Sequence, residues 1–318
     1  MNYKLLTIFI AYILDLVFGD PRRYPHPVKI IGKAIRMLEK VLRKIFINEK
    51  LGGIILVLLI VAGTFCLTSL IVKLSAAVNF YLGVGISIFL IYTSLSVKDL
   101  KVESVEVYRA LEKKDLETAR KKLSLIVGRD TENLNEEEII RATVETIAES
   151  IVDGIISPLF YALIGGPVLA LTYKAINTLD SMVGYNNEKY KDFGWCSAKI
   201  DTIANFIPAI LSIFLIPLAS LFCPAFSRIS LFSSFRIIFR DGLKNGQISN
   251  IPESAVAGAL GIRLGGMNFY NSVAVTKPFL GDNCHPLDKE HIKKSIKIAH
   301  ISSGLFLTAG LVLLWVIN

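Results

Sequence analysis

The stretch LGGIILVLLIVAGTFCLTSLIV, residues 51–72, contains no Asp, Glu, Lys or Arg. A bilayer core about 30 Å thick is crossed by roughly 20 apolar residues in an α-helix. This stretch therefore predicts a membrane-spanning helix. Three further uncharged stretches, 74–97, 155–173 and 202–227, predict more helices of the same kind.

Both ends of the chain are also apolar. Residues 2–18 are interrupted only by Lys4 and Asp15, lack a small-residue cleavage site and are expected to be retained. Residues 299–318 carry Trp315 near the terminus, where an interfacial aromatic is expected. Of the 318 residues 53% are hydrophobic and 19% charged. We expect an all-α, polytopic integral protein of the cell membrane, with about four to six transmembrane or re-entrant helices, forming one membrane-embedded domain, 1–318.

The distribution of charge predicts the orientation. The net charge is +8, and residues 19–50 contain nine basic and three acidic residues. By the positive-inside rule this segment is expected in the cytoplasm. A hairpin over 51–97, turning at Lys73, then returns the chain to a cytoplasmic helical segment, 98–154, and a polar loop covers 228–298. Since no segment combines basic and aromatic residues continuously, nucleic acid binding is not expected.

Local signals place two helices in the 98–154 segment. Asp115 is a good N-cap for a helix over 116–127 that stops at Gly128. Asn135 and Glu138 have the spacing of a capping box, which predicts a helix from about residue 136 to Asp153.

Prolines and glycines interrupt two of the apolar stretches. Pro158 and the run Gly165-Gly166-Pro167 lie in one stretch, and Pro208 and Pro217 lie in the other. Broken or re-entrant helices are therefore expected, because irregular backbone at membrane depth is tolerated only beside protein or a water-filled cavity. Such breaks indicate a site.

An acid stripe is predicted on the 136–153 helix, where Arg141, Glu145, Glu149 and Asp153 recur every four residues. Stacked like charges are better explained if a cation or polar ligand meets them. The alternative is a solvated helix face on which Arg141 pairs with Glu145.

Residues 19–27 form a proline-rich turn that mixes Asp20, Arg22, Arg23 and His26. The two arginines are suited to phosphate or carboxylate, and equally to anchoring beside anionic lipid.

Oxygen-bearing side chains suited to magnesium border the segment 174–201, namely Asn177, Asp180, Asp201 and Asn205. Helix capping is their alternative role. A glycine-rich segment, 258–266, follows Glu253 and contains Arg263, but no Walker-type GxxxxGK[ST] motif occurs. The four cysteines lack zinc-ligand or redox spacing, and we assign them no chemistry.

Taken together, these segments resemble the CbiB/CobD family, adenosylcobinamide-phosphate synthase, over nearly the whole chain. Four blocks carry the resemblance, and the first is Asp15-Leu16 with Gly19-Asp20-Pro21 and Pro25-His26-Pro27. The second is Val127-Gly128-Arg129-Asp130-Thr131 with Arg141 to Glu145, Asp153-Gly154 and Pro158 to Tyr161. The third is Asn177 to Gly184 with Gly194-Trp195, Asp201, Asn205 and Pro208-Ala209, and the fourth is Pro252-Glu253 with Ala257 to Gly261. Departures are Ser150, Thr202, Ile210 and the segment 245–250, which leave a divergent paralogue open.

The resemblance implies an ATP-dependent ligase that joins adenosylcobyric acid to aminopropanol phosphate or a related amino alcohol phosphate, with ATP and magnesium. It points to three sets of residues: catalytic Asp20, His26, Glu145, Glu149 and Asp153; substrate- or phosphate-binding Arg22, Arg23, Arg129, Asn177, Asn205, Glu253 and Arg263; and metal-binding Asp153, Asp180 and Asp201. The expected partners are the corrinoid, the amino alcohol phosphate, the lipid bilayer and a second copy in a homo-oligomer. A multi-pass transporter or sensor is the alternative function.

One conflict concerns topology. Counting spans places residues 174–201 outside the cell, whereas ATP chemistry requires Asp180 and Asp201 to face the cytoplasm. We expect Asp180 and Asp201 to face the cytoplasm, as ATP chemistry requires. Residues 155–173 must then dip into the membrane and return, or residues 174–201 must fold back through the protein.

Overall fold

The computed structural model describes residues 3–20, 26–222, 228–244, 246–270 and 272–317, without the side chains of residues 228 and 229. It is 76% helical. The helices are α1 Tyr3–Phe18, α2 Pro27–Ile45, α3 Glu49–Val78, α4 Phe80–Tyr92, α5 Val97–Glu112, α6 Leu116–Leu123, α7 Glu136–Ser150, α8 Ser157–Val183, α9 Trp195–Leu221, α10 Arg228–Ile237, α11 Asn250–Leu260 and α12 Glu290–Ile317. Two π-helical turns, Ile151–Ile156 and Ile238–Gly242, and two strands, β1 Leu264–Tyr270 and β2 Val273–Leu280, complete the described elements.

Five helical stretches among the described residues are long and apolar enough to cross a membrane, which confirms the expected fold class. They are Glu49–Val78, Phe80–Glu112, Glu136–Val183, Trp195–Leu221 and Glu290–Ile317. The last one begins nine residues earlier than the apolar pattern predicted, because its first turns carry lysines and a histidine.

The chain divides into two compact units. The first comprises the described parts of Met1–Ser96, Asp153–Phe206 and Leu307–Asn318, and the second comprises those of Val97–Val152 and Ile207–Phe306. In the first unit, α2, α3 and α8 enclose a core that includes Ile35, Leu56 and Leu179. Burial of such aliphatic side chains is the main force that holds these helices together.

The turn of the first membrane hairpin was predicted wrongly. Helix α3 continues through the exposed Lys73 to Val78, and the chain turns at Asn79. The Asn79 side chain accepts hydrogen bonds from the backbone N–H groups of Tyr81 at 2.8 Å and Leu82 at 3.3 Å, and so caps α4. A single lysine does not end an apolar helix, because its long stem can carry the ammonium group toward water.

Helix α8 is a bent helical hairpin rather than one straight rod. Gly165 and Gly166 leave helical geometry, and Gly166 has φ 63° and ψ −149°. The rings of Tyr161 and Tyr173 stack with centroids 5.1 Å apart, whereas twelve residues of straight helix would separate them by about 18 Å. The Gly165-Gly166-Pro167 run therefore folds the chain back on itself, as one of the two expected arrangements required.

The predicted polar segment 174–201 is mostly helical. Helix α8 extends to Val183 and α9 begins at Trp195, so only residues 184–194 form a connection. Pro208 and Pro217 lie inside α9, which stays helical around both and ends at Leu221. The last part of the predicted stretch, 223–227, lies outside the described residues. Proline has no N–H group, so each of these prolines leaves one backbone carbonyl of the helix without its usual donor. Such a loss is tolerated where neighbouring groups bond to the freed carbonyl.

Capping signals in the 98–154 segment were read correctly, but helix ends were not. Asp115 accepts a hydrogen bond from the Thr118 N–H, and the capping box of Asn135 and Glu138 is complete. Helix α6 ends at Leu123 because residues 124–126 form tight turns that bond back to Lys122 and Leu123. Helix α7 ends at Ser150, where the first π-helical turn begins.

The predicted polar loop 228–298 contains ordered elements. Helices α10 and α11 pack closely, since a Cβ on Gly258 would lie 2.7 Å from the Cα of Ser234. Strands β1 and β2 form an antiparallel hairpin with Leu264 opposite Leu280 and Tyr270 opposite Val273. This hairpin, which the sequence did not predict, packs against α7 and α11 within the second unit.

Candidate functional site

The second unit contains a buried charge cluster around Glu145. Glu145 is 1% exposed, and its Oε2 accepts a short hydrogen bond from Arg129. Its Oε1 accepts from the Gly265 N–H at 2.8 Å and lies 4.0 Å from the Arg141 Nε. Burial would lower the pKa of Arg129, but the charge and hydrogen bond of Glu145 outweigh it, so this pKa is raised. The pair is therefore doubly charged and internally satisfied.

The β-hairpin supplies the rest of this cluster. Asn268 is buried, and its Oδ1 accepts from Arg129 at 2.6 Å and from Arg141 at 3.2 Å. Arg141 also donates to the Gly265 carbonyl and, at 2.8 Å, to the Met267 carbonyl. Gly265 has φ 83°, and a Cβ there would come 2.0 Å from the Pro278 oxygen. Only glycine allows this approach of the backbone to Glu145.

Glu253 is a second buried carboxyl of the cluster. It lies in the first turn of α11 and is 1% exposed. Its Oε1 is 3.7 Å from the Lys277 Nζ, and its Oε2 has no hydrogen-bond partner in the described part of the chain. Burial raises the pKa of Glu253 to about 8, with the charge of Lys277 opposing the shift and those of Glu145 and Glu149 adding to it. Such a carboxyl exchanges a proton near neutral pH.

The pKa of Lys277 is raised, since the charges of Glu253, Glu149 and Glu145 outweigh the opposing effect of burial. Its ammonium group therefore stays charged beside Glu253. Lys277 was not singled out in the sequence, and its contact with Glu253 follows from its place on β2 opposite Gly266.

A cleft of about 240 Å³ lies beside the cluster, lined by Glu137, Glu138, Arg141, Arg263, Gly265, Phe279, Asn283, Pro286 and Leu287. Arg263 is exposed, and its guanidinium lies 4.5 Å from the centroid of the Phe279 ring. It makes no hydrogen bond within the described ranges, so all five of its donors remain available to a ligand. Arg129, in contrast, is engaged by Glu145 and Asn268 and is a poor candidate for phosphate binding.

The first unit contains a second polar cluster, built around Asn205 on α9. The Asn205 Oδ1 accepts from Ser157 at 2.6 Å and from Tyr173 at 2.9 Å, and its Nδ2 donates to Asp201 at 2.9 Å. The Asp153 carbonyl lies 3.1 Å from the Tyr173 hydroxyl and is a second acceptor for the same proton. The re-entrant bend in α8 makes these contacts possible, because it brings residues 157 and 173 to the same amide.

Lys174 on α8 lies close enough to the acids of the first unit to be affected by their charges. Its Nζ donates to the Ser96 hydroxyl at 3.3 Å, and the charges of Asp15, Asp20, Asp153 and Asp201 all act on it. No periodic pattern in the sequence singles out Lys174, because an isolated lysine beside an apolar stretch is also typical of a helix end. The charges of four acids therefore act on one ammonium group.

The proline-rich turn is described only in part. Arg22 and Arg23 lie outside the described residues. His26 is buried, its Nδ1 accepts from the Val28 N–H at 3.3 Å, and its Nε2 lies 3.2 Å from the Asp20 Oδ1. The proton is therefore on Nε2, which donates to Asp20. Both ring nitrogens have internal partners, so His26 caps α2 and positions Asp20, and a catalytic role stays a prediction.

The acid stripe is one helix face only in part, because Arg141, Glu145 and Glu149 lie on α7 and Asp153 does not. Glu145 is buried in its ion pair with Arg129, so the alternative prediction of a solvent-exposed helix face is wrong at this residue. Glu149 is exposed on α7, whereas Asp153 lies in the π-helical turn and belongs to the first unit. A π-helical turn shifts the register of the residues that follow, so the four-residue spacing no longer defines a common face.

A preformed metal site is absent from the described residues, which contain no group of three His, Cys, Asp or Glu side chains able to hold a metal ion. Asp201 bonds to Asn205, and Asp180 lies at the end of α8 beside Gly184, near Asn177 in sequence. Magnesium commonly takes one or two carboxylates and completes its shell with water and nucleotide phosphates. The metal assignment of Asp153, Asp180 and Asp201 stays a prediction.

Comparisons with known proteins place these clusters in a family. The sequence matches the family model described as CobD/Cbib protein over residues 8–299. It is 46% identical over 311 residues to the cobalamin biosynthesis protein CobD of Clostridium perfringens, covering 97% of this chain and 98% of the relative. The CobD proteins of Listeria monocytogenes serovar 1/2a and Klebsiella pneumoniae are 46% and 41% identical over 306 residues, with 95% of each chain covered.

No solved structure matches this chain. The sequence relatives, however, are aligned over almost their whole length, and the matched region includes Glu145, Asp201 and Glu253. This chain belongs to the CobD/Cbib family.

Proposed function

We propose that the protein acts in cobalamin biosynthesis as an ATP-dependent ligase, which joins the carboxyl group of adenosylcobyric acid to the amine of aminopropanol phosphate, or a related amino alcohol phosphate, to give adenosylcobinamide phosphate. Membership of the CobD/Cbib family and the names of the relatives support the pathway. The observation that carries the reaction type is Glu253, a buried carboxyl with one oxygen that has no partner in the described part of the chain.

Amide formation requires a base. The amino alcohol enters as an ammonium ion and must lose a proton before its nitrogen can attack the acyl carbon. A general base works best when its pKa lies near the working pH, and burial raises the pKa of Glu253 to about 8. Lys277 at 3.7 Å stabilises the ionised form that accepts the proton. ATP would supply the phosphoryl or adenylyl group that activates the acyl carbon.

The phosphate of the amino alcohol needs a cationic partner. Arg263 has free donors and lines the same cleft as Arg141 and Gly265. Guanidinium groups bind phosphate through two parallel hydrogen bonds, which fixes the orientation of the ligand as well as its position. We therefore assign the phosphate to Arg263 rather than to Arg129, whose donors are taken by Glu145 and Asn268.

Magnesium fits these residues only in part. The described carboxylates do not form a site of three ligands, so the ion would be held mainly through ATP phosphates, with Asp153, Asp180 or Asp201 as carboxylate partners. The protein's own contribution is to place the amine, its phosphate and the base.

A transporter remains the second candidate because of Lys174. Ionisable residues within membrane helices often mark a substrate or ion path, and Lys174 interacts with four acids inside the helical first unit. A transport path would, however, leave the Glu253 cluster of the second unit without a role.

Growth of a deletion strain separates these functions. We expect a cobalamin auxotroph that lacks this protein to grow on added cobinamide but not on cobyric acid. Purified protein should form the amide from adenosylcobyric acid, an amino alcohol phosphate, ATP and magnesium, and should form none when ATP is omitted. Growth of the deletion strain on cobyric acid would exclude the ligase, and rescue only by high external corrinoid would favour transport.

A further inference from the structure

Helix α2, Pro27–Ile45, has two apolar stripes. The first contains Ile31, Ile35 and Leu42, which are buried in the core that α2 shares with α3 and α8. The second stripe is exposed: Ile30 is 58% exposed, Met37 64%, Val41 44% and Ile45 63%. At about 100° per residue these four side chains lie within an arc of roughly 80°, directly beside the buried stripe. The helix therefore presents a continuous apolar surface that the first unit does not cover.

The next sector of α2 is basic. Lys29, Lys33, Arg36, Lys40 and Lys44 share it and are all exposed. None of the five makes a side-chain hydrogen bond or ion pair with any part of the chain that the structure describes. The acidic residue of this helix, Glu39, accepts a hydrogen bond from Arg43 at 3.1 Å. The basic sector is therefore not neutralised by an acid of α2. Around the helix, the exposed apolar stripe thus lies between the buried stripe and the basic sector.

This arrangement fits one environment. Five cations exclude a position across the bilayer, because each charge is costly in its core. An apolar stripe of this length beside a basic sector is typical of a helix that lies in the membrane interface, with apolar side chains in the acyl boundary and lysines among anionic headgroups.

We infer that α2 is a membrane-surface helix that binds anionic phospholipid. Its stripe of Ile30, Met37, Val41 and Ile45 enters the acyl boundary, and its basic sector contacts phosphate groups. The surface is separate from the proposed ligase chemistry. It has a structural consequence, since His26 caps α2 and bonds Asp20, so the helix holds the Asp20–His26 turn at headgroup depth.

Spin-label accessibility tests the position of α2. In the full-length protein, with Cys66, Cys196, Cys223 and Cys284 replaced, single labels are placed at Met37→Cys and at Lys33→Cys, and the protein is reconstituted in nanodiscs of phosphatidylcholine and phosphatidylglycerol. We expect the ratio of oxygen to water-soluble nickel-complex accessibility to be several-fold higher at position 37 than at position 33. High nickel accessibility at position 37 places the stripe in water and overturns the inference. Protection from both reagents means that protein covers the stripe, and also overturns it.

Headgroup selectivity is measured with spin-labelled lipids. The wild-type protein is expected to retain labelled phosphatidylglycerol over labelled phosphatidylcholine, and Lys33→Gln/Lys40→Gln should lose a large part of that preference. The matched control, Lys113→Gln/Lys121→Gln, removes the same charge from exposed lysines of the second unit and should leave the preference unchanged. Equal loss in both variants, or loss in neither, would show that α2 does not bind anionic lipid through its basic sector.

Discussion

At the scale of single residues, the proposed chemistry depends on Glu253. Its pKa is raised to about 8, and a general base must be ionised to accept a proton. Activity should therefore rise with pH up to about pH 8 and level off above it. Glu253→Gln keeps the shape of the side chain but removes the base, so kcat should fall by about a hundredfold or more. The pH dependence of kcat should lose its rising limb, and a variant that retains this limb excludes Glu253 as the base.

Stability measured against pH provides the control for Glu253. The folded-state pKa lies above the ordinary value of 4.5, so folding favours the protonated form. The favourable contribution is complete below the unfolded-state pKa and is lost as pH rises through the folded value. Between about pH 4.5 and about pH 8 the melting temperature of wild type should therefore fall relative to that of Glu253→Gln, and above about pH 8 the difference should level off. Parallel curves for the two proteins would indicate a carboxyl with an ordinary pKa.

The pair Arg129 and Glu145 is predicted to act in folding rather than in turnover. Their side chains are 7% and 2% exposed, and removing one partner leaves the other charged and buried, at a cost of about 3–5 kcal/mol. Glu145→Ala should therefore reduce the amount of folded protein in the membrane, in contrast to a catalytic acid.

A double-mutant cycle separates the two roles of this pair. Replacing both residues, as Arg129→Met/Glu145→Leu, should destabilise the protein less than the sum of the single changes, because no unpaired charge remains. Additive effects on the melting temperature would mean that the two side chains do not interact. Full stability with lost activity in Glu145→Ala would return Glu145 to the catalytic residues.

Single residues also show how far sequence reasoning reaches. The motif blocks contain Arg129, Glu145 and Glu253, and the structure brings these three residues into one charge cluster, while their functional roles stay predictions. Residue spacing alone could not predict these contacts. It placed Glu145 on an acid stripe, whereas its partners Arg129 and Gly265 are 16 and 120 residues away in the sequence. Asn268 and Lys277 were missed because their roles depend on a β-hairpin whose glycines interrupt the usual alternation of a strand.

At the scale of elements, the bend in α8 is the feature with the clearest test. Gly166 has φ 63° and ψ −149°, a conformation that side chains rarely adopt, although a Cβ there would meet nothing within 4 Å. Gly166→Ala should therefore be destabilising by about 1–3 kcal/mol through the backbone alone. The polar cluster of Asn205 depends on this bend, so activity should fall as well.

Gly63 offers a matched control for this variant. It lies inside α3, and a Cβ there also meets nothing within 4 Å. Gly63→Ala should leave the melting temperature unchanged or raise it slightly, since alanine favours helix. If both alanine variants melt like wild type, the fold-back at Gly166 does not need a glycine.

Elements differ in how far they follow from local sequence. The caps at Asp115 and Asn135 depend on neighbours within three residues, and both were predicted. The re-entrant bend was one of two options, because glycine and proline locate a break without giving its direction. The π-helical turn at Ile151–Ile156 has no sequence signature of its own, and it removed Asp153 from the predicted helix face.

At the scale of the whole molecule, contacts within the first unit bear on the conflict over topology. Arg43 donates to the Lys189 carbonyl at 2.8 Å and lies 4.2 Å from the centroid of the Phe193 ring. Lys50 lies 4.2 Å from the Trp195 ring. The connection 184–194 is thus at the same end of the first unit as the C-terminal end of α2. Span counting took residues 155–173 as one straight crossing, whereas α8 folds back at Gly165 and Gly166.

The final prediction follows from these contacts. Residues 19–50 carry a net charge of +6 from nine basic and three acidic residues, and the positive-inside rule places them in the cytoplasm. The connection 184–194, held against Arg43 and Lys50, must then face the cytoplasm too, where ATP is available to Asp180 and Asp201. The best reporter position is Glu188, which is exposed, whereas the side chain of the neighbouring Asn187 accepts a hydrogen bond from the Tyr190 N–H.

In a background without native cysteines, Glu188→Cys should resist a membrane-impermeant thiol reagent in intact cells and react after permeabilisation. Lys33→Cys on α2 should behave in the same way, because both positions belong to the same end of the first unit. Labelling of Glu188→Cys but not of Lys33→Cys in intact cells would contradict the contacts of Arg43. Labelling of both in intact cells would reverse the orientation of the unit and exclude a cytoplasmic ATP site built from Asp180 and Asp201.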